Sequence, residues 1–273
     1  MTPHDTFSAA PAELRELLAL ASDLALQAGR IHAEGRRTAL TIETKSSPTD
    51  LVSQVDKAAE RLIVDRLAER RPDDAILGEE GTSRDGTSGV RWVVDPLDGT
   101  TNYVYGYPAY SVSIAVEIDG DARVGVVLDS SSGRLYRAVA GAGAVCDDKP
   151  IRARVPDGLP TALVATGFSY GSARREFEGK VLAALLSRIR DIRRSGSAAL
   201  DLCRLAAGEV DAYWELDLSP WDFAAGVLIA REAGADVLLM PAGGGDRAVV
   251  GAHPSLMPAF VALLREAGAL AQA

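Results

Sequence analysis

The 273-residue chain is poor in sulfur, imidazole and amide side chains: two cysteines, Cys146 and Cys203, three histidines, and one asparagine, Asn102. Two cysteines make no disulfide scaffold and fit a reduced compartment, with one bridge at most. With the histidines scattered, they leave no His/Cys cluster for zinc. No run of eighteen apolar residues occurs, so no membrane span is expected. The N-terminus lacks a basic region followed by an apolar one, so no signal peptide is expected and a cytoplasmic protein is the default. Positive charge is in deficit: 29 Lys and Arg face 38 Asp and Glu, for a net charge of -9 and a pI of about 4.9. That balance speaks against nucleic acid as a partner. It allows a small anionic substrate, because a bound cation inverts the local field. Core-forming residues are plentiful, at 47% hydrophobic, and the length suits one large domain or two intimate ones.

The stretch Trp92-Val93-Val94-Asp95-Pro96-Leu97-Asp98-Gly99-Thr100-Thr101-Asn102 organises the rest. The apolar run Val90 to Val94, broken by Arg91, predicts a short buried strand. Asp95-Pro96 predicts its end, in a turn. Two carboxylates three residues apart on such a turn can point into one space, and Gly99 lets a ligand approach the backbone.

Upstream, Pro11 to about Gly35 carries Leu14, Leu17, Leu18, Ala21, Ala25, Ala28 and Ile31 at spacings of three and four, which predicts an amphipathic helix. His32, near its end, reads as a surface or capping residue. Ala39 to Glu43 alternates like a strand, and a loop follows from Lys45. Asp56 opens a second helix, Lys57 to Arg71. Asp56 reads equally as a helix N-cap and Asp50 as a turn residue. Ala75-Ile76-Leu77 predicts a strand that delivers Gly78-Glu79-Glu80-Gly81 at its tip, and Thr82 to Gly89 a polar surface loop.

Downstream, Tyr103 to Pro108 reads as an aromatic loop. Strands over 110–118, 123–129, 134–140 and 144–146 suggest an antiparallel meander with helices laid on it. The second half alternates differently. Strands are expected over 162–166, 210–215, 235–240 and 249–252, and helices over 177–189, 198–208, 221–233 and 254–270, with a basic turn at Ile192 to Ser197. This mixture is α/β, with parallel crossovers. There is no internal repeat and no long linker. Residues 1–273 read as one compact unit, with sub-lobes over 11–155 and 156–270 sharing a cleft.

Glu79, Asp95, Asp98 and Asp222 each fall at a strand end, a tight turn or a helix start. If they converge, four like charges share one site, at a cost of several kcal/mol unless protons or cations are bound. Hard oxygens suit Mg2+ or Mn2+ better than Zn2+. Two such ions can clamp a phosphoryl group and activate a water. By spacing alone, Asp222 also reads as a first-turn helix acid.

The segment Asp95-Pro96-Leu97-Asp98-Gly99-Thr100 resembles the metal-binding signature of the inositol monophosphatase family of lithium-sensitive phosphatases. Gly78-Glu79-Glu80, Trp221-Asp222-Phe223-Ala224-Ala225-Gly226 and the early loop Lys45-Ser46-Ser47-Pro48-Thr49-Asp50-Leu51-Val52 to Asp56 are similar to that family's other motifs, in its order. The resemblance implies a mixed α/β (α+β) fold with layers α-β-α-β-α, a mixed, largely antiparallel N-terminal sheet and a second, smaller sheet. It implies a phosphoric monoester hydrolase with two or three Mg2+ ions per site, Mn2+ as a substitute, lithium sensitivity, and a cytoplasmic homodimer.

The same resemblance assigns roles. Glu79 is implied as a ligand of the first ion and of a loosely held third. Asp95 bridges the first two, the Leu97 carbonyl binds the first, and Asp98 and Asp222 bind the second. Asp56 and Thr100, with Glu79, orient the attacking water, and the Gly99 and Thr100 amides cradle phosphate. Asp50 supports from behind. Lys45 stands near the site, with a solvated loop lysine as the alternative. The implied reaction is direct in-line attack by metal-activated water, without a phospho-enzyme.

Substrate choice then falls to the outer wall. By resemblance, Glu215 hydrogen-bonds inositol hydroxyls and Ser197-Ala198-Ala199 receives the ring beside Asp98, Gly99 and Thr100. This implies a small phosphorylated polyol, myo-inositol 1-phosphate. Histidinol phosphate, broad sugar phosphates, fructose 1,6-bisphosphate and adenosine 3',5'-bisphosphate remain alternatives. So does a regulatory binding dimer that retains the metal site. Arg193 and Arg194 are open between a second-phosphate site and a solvated or subunit-contact pair. Tyr103 and Tyr105 replace the phenylalanine and histidine frequent in the family and bear on the cleft rim.

Overall fold

A computed structural model describes residues 6–37, 41–45, 51–243 and 247–271. Helix α1 (Ala12–Gly35) buries Leu14, Leu17, Leu18, Ala21, Leu24, Ala25, Ala28 and His32, the stripe that a 3.6-residue period places on one face. Helix α2 (Gln54–Arg70) starts two to three residues before the expected point. Its N-cap is Ser53, and Asp56 is the third helical residue of a capping box rather than the cap itself. Five further helices are α3 (Thr100–Tyr105), α4 (Ser172–Leu186), α5 (Ala198–Ala206), α6 (Pro220–Glu232) and α7 (Met257–Glu266).

The larger sheet has eight strands, in spatial order Lys149–Pro150, Ala144–Cys146, Leu135–Val139, Asp121–Asp129, Ser111–Ile118, Val90–Asp98, Ala75–Gly78 and Ser83–Arg84. Neighbours are antiparallel, with one exception: Ala75–Gly78 runs parallel to Val90–Asp98. The expected meander over 110–146 is present and antiparallel throughout, and the one parallel pair lies outside it, at the other end of the sheet. Successive strand residues face opposite sides. Trp92 and Val94 pack with α1 and α2, in a core that includes Leu17, Leu24, Ile63 and Ile114. Val93 packs on the other side, with Ala199, Leu202, Ala225 and Ile229 of α5 and α6.

The smaller sheet orders Asp191–Arg193, Leu163–Thr166, Ala212–Leu216, Arg247–Ala252 and Asp236–Pro241. Its first three strands are mutually parallel, as the second-half pattern suggested. Tyr213 and Val249 join the α5/α6 core, whereas Trp214 and Val250 pack beneath Phe260 and Leu264 of α7. Helices α5 and α6 are thus covered by a sheet on each side, which explains why they are apolar nearly all round. The layers run α-β-α-β-α.

Several local expectations change. The central strand does not stop at Asp95-Pro96 but runs to Asp98 through a bulge. Thr100–Tyr105 is helical rather than a loop opening at Tyr103. The polar stretch after Thr82 contains the edge strand Ser83–Arg84, and the basic turn begins as the edge strand Asp191–Arg193. Helix α4 begins at Ser172, before Phe177. The early strand is Ile42–Thr44, antiparallel to Leu51–Ser53, while Ala39 lies outside the described residues. Among the described residues no helix is long and apolar enough to cross a membrane.

Candidate active site

The bulge decides where the acids point. Asp95 pairs opposite Ser113 and Asp98 opposite Ser111. Three steps on one strand match two on its partner. In an unbroken strand, residues three apart face opposite sides; the extra residue restores a common face. Pro96 sits in this gap, where the strand owes no ladder donor. The parallel register then adds Glu79. Gly78 pairs with Val94, and the Glu79 amide donates to the Val94 carbonyl at 3.2 Å, so Glu79 stands next to Asp95. Asp222 arrives from the first turn of α6, where its Oδ2 accepts from the Ser219 amide at 2.7 Å. It is both a first-turn helix acid and a pocket residue.

Glu79, Asp95, Leu97, Asp98, Gly99, Thr100 and Asp222 line one pocket of about 270 Å³ with Lys45. A second pocket of about 220 Å³ shares Asp98, Gly99, Tyr170, Asp217 and Asp222 with it and adds Ala198, Glu215 and Arg194. The acidic floor and the outer wall are one continuous cleft.

Each acid is braced. Asp95 Oδ1 accepts from the Leu97 amide at 3.0 Å. Asp98 Oδ2 accepts from Ser197 Oγ at 2.5 Å, the Ala199 amide at 2.9 Å and Ser111 Oγ at 3.3 Å. Asp56 lies outside the pocket and reaches it through Thr100: its Oδ1 is 2.7 Å from Thr100 Oγ1, while Oδ2 accepts from the Ser53 amide and hydroxyl. Lys45 stands at the rim of the pocket, partly exposed, and is ion-paired with the site acids. Its Nζ lies 2.9 Å from Glu79 and 2.5 Å from Glu80. Asp50 lies outside the described residues.

Burial raises the carboxyl pKa values here, and like charges add to it. Asp95 is held well above the usual range by burial, then by Glu79, Asp98 and Asp222. Asp222 is raised by burial, Asp98 and Glu79. Burial pushes Asp98 up to about 6, against the Ser197 and Ala199 hydrogen bonds. Glu80 rises to about 7 through burial, opposed by Lys45. Such a set calls for compensating positive charge.

The donors are carboxylates and the Leu97 carbonyl, all hard oxygens, which suit Mg2+. The Lys45 ammonium against Glu79 occupies a place where a cation is favoured. As the side chains stand, no three His, Cys, Asp or Glu among the described residues close on one point tightly enough to hold an ion. The fit is therefore one of donor chemistry and charge.

On the outer wall, Ala198 and Glu215 face the cleft. Ser197 is buried and serves Asp98 and the α5 N-cap from behind. Glu215 accepts from Tyr213 Oη at 2.8 Å, and burial pushes its carboxyl up to about 8. Arg193 pairs with Asp191. Arg194 lines the cleft, with its guanidinium 5.9 Å from the Phe168 ring centre. Tyr103 is fully buried rather than at the rim, whereas Tyr105 is exposed.

Sequence reasoning missed three supports. Glu60, from α2, accepts from the Glu80 amide and Thr82 and fixes the Glu79-Glu80 turn. Gly167 makes room for Glu215, since a Cβ there would lie 1.8 Å from its carboxylate. His32 was expected at the surface but is wholly buried. Its Nε2 lies 3.0 Å from the Pro96 carbonyl and its Nδ1 2.9 Å from Ser130 Oγ. Burial lowers its pKa to about 4. The available signal was that His32 continues the buried stripe of α1, four residues beyond Ala28.

Comparison with known proteins settles the kinship. The inositol monophosphatase family matches residues 13–269. The chain belongs to that family. An inositol-1-monophosphatase of Mycobacterium leprae is 46% identical over 242 residues, covering 84% of this chain and 83% of its own. A Vibrio cholerae protein named Nus factor SuhB is 41% identical over 262 residues, covering 93% and 98%. The solved structure of Mycobacterium tuberculosis SuhB matches with a TM-score of 0.82 and 41% identity, covering 96% of this chain and all of that one. The layered architecture is the family's, and the chain is an enzyme of its phosphoric monoester hydrolase class.

Proposed function

We propose that the protein hydrolyses a small phosphorylated polyol, myo-inositol 1-phosphate first among the alternatives, at the cleft floored by Glu79, Asp95, Asp98 and Asp222. The observation that carries this reading is the continuity of the acidic pocket with a wall presenting Glu215 and Ala198. In this reading Glu79, Asp95, the Leu97 carbonyl, Asp98 and Asp222 hold two or three Mg2+ ions. Bound there, the ions supply Lewis acidity to the phosphoryl group and to the attacking water.

The chain's own groups do the rest. Thr100 donates its hydroxyl hydrogen bond to Asp56, which leaves an Oγ1 lone pair to accept a hydrogen bond from the attacking water. Glu79 accepts the other, so the water's lone pair is aimed at phosphorus in line with the leaving oxygen. The Gly99 and Thr100 amides receive phosphoryl oxygens, and the left-handed Gly99 (φ 87°) makes that backbone approach possible. Glu215, fixed by Tyr213, accepts hydrogen bonds from the polyol, and Ala198 leaves room for its ring.

The test is a comparison of kcat/KM for inositol 1-phosphate, histidinol phosphate, fructose 1,6-bisphosphate and adenosine 3',5'-bisphosphate, with and without Mg2+. A strong preference for either bisphosphate overturns the substrate assignment and moves attention to Arg194. Glu215→Gln should harm inositol 1-phosphate more than 4-nitrophenyl phosphate; equal losses remove Glu215 from substrate recognition. The name Nus factor on one relative favours keeping a second reading, a binding dimer with a retained metal site. Absence of phosphate release across the whole panel would overturn the hydrolase reading and turn attention to binding.

A further inference from the structure

We infer that His32 is a positioning residue for the ligand-bearing bulge: its Nε2–H holds the Pro96 carbonyl and so directs the Asp95 carboxylate and the Leu97 carbonyl on either side. This rests on the reading above that Asp95 and Leu97 bind Mg2+.

The bulge interrupts the strand ladder between Asp95 and Asp98, and there the Pro96 carbonyl takes its hydrogen bond from a side chain, at 3.0 Å. A carbonyl only accepts, so Nε2 carries the proton and Nδ1 accepts from Ser130 Oγ at 2.9 Å. Ser130 thus fixes the tautomer that Pro96 needs. Packing fixes the ring plane. The Tyr103 and Tyr110 rings lie 5.9 and 6.2 Å from the imidazole, tilted and edge-on.

The same residue also holds the far side of the motif. The His32 carbonyl accepts from Tyr103 Oη at 2.8 Å, and Tyr103 belongs to α3, which opens at Thr100. One turn of α1 therefore grips the segment before Leu97 and the helix after Gly99. His32 does not line the cleft and acts only through these contacts. Supports of this kind tune metal affinity by orienting the groups that bind.

The test is calorimetric titration of Mg2+ into the metal-stripped full-length protein, with far-UV circular dichroism on each variant. His32→Phe, which keeps a ring but loses the donor, should weaken Mg2+ binding by about 10-fold. His32→Gln, whose side-chain amide can donate from the place of Nε2, should recover most of the affinity. Ser130→Ala should shift it in the same direction by a smaller factor. Equal affinity in wild type and His32→Phe overturns the inference, as does a loss that His32→Gln does not relieve. Should His32→Phe not fold, Ser130→Ala decides, and unchanged affinity there overturns it. A wild-type protein that binds no Mg2+ overturns the metal reading, and this inference with it.

Discussion

The Thr100 hydroxyl is held between a buried carboxylate and a backbone carbonyl: Oγ1 lies 2.7 Å from Asp56 Oδ1 and 3.0 Å from the Leu97 oxygen. The shorter bond is the stronger one, to a carboxyl that also accepts from the Ser53 amide and hydroxyl, so the hydroxyl donates to Asp56 and faces the cleft as an acceptor. Thr100→Val keeps the shape and removes the hydroxyl. Its kcat should fall by about 10²-fold or more, with KM little changed, while Thr100→Ser retains most activity. Thr100→Val should also lose about 1–3 kcal/mol of stability, because Asp56 is left with one buried bond fewer. Steady-state kinetics and denaturant melts check both.

Asp95 lies at the centre of the like charges. Its carboxyl is raised by burial and by Glu79, Asp98 and Asp222, so the metal-free protein is strained by its own site. Asp95→Asn keeps the oxygen that accepts from the Leu97 amide and removes one charge. In EDTA its Tm should equal or exceed the wild-type value. Added Mg2+ should raise the wild-type Tm and leave the variant's nearly unchanged, and turnover should be almost abolished. A variant that melts well below wild type in EDTA would assign Asp95 a structural role instead.

Glu215 supplies a pH dependence. Burial lifts its carboxyl from 4.5 to about 8 in the folded protein. Between those values the folded chain retains a proton that the unfolded chain has released, so this group's contribution to stability is present at low pH and is lost as pH rises towards 8. Without metal, Glu215→Gln mimics the protonated form; Mg2+ beside Asp98 and Asp222 would offset the like charges that help raise Glu215 and favour the carboxylate used in substrate recognition. The Tm difference between variant and wild type should therefore grow in the variant's favour from pH 5 to pH 8.5, in metal-free buffer.

Gly99 is irreplaceable for two separable reasons. Its φ is 87°, and a Cβ would lie 2.8 Å from the Ala109 carbonyl and 3.1 Å from that of Gly196. Gly81 also has positive φ but open space around it. Gly81→Ala should thus cost only the left-handed penalty, about 1–2 kcal/mol. Gly99→Ala should cost more, because two backbone carbonyls must also shift, and on the proposal that the Gly99 amide receives phosphate it should lower kcat as well. Paired urea melts and kinetics separate the two effects.

The sequence by itself determined which chemistry was possible. Acids at element ends, without a partnering His/Cys set, call for bound protons or a hard cation if they converge. The stripe in α1 and the glycine-flanked acid motifs are local patterns that survive any arrangement of the elements. Only the tertiary structure decided how the acids meet. The parallel pairing of Gly78 with Val94 brings Glu79 beside Asp95, and the bulge at Pro96 turns Asp95 and Asp98 to one side. The burial of His32 beneath the strand bulge it supports belongs to the same class. Periodicity reveals which face of an element is apolar, but the neighbour that covers that face is chosen by contacts between residues far apart in the chain. A one-residue change of strand parity leaves almost no mark on composition.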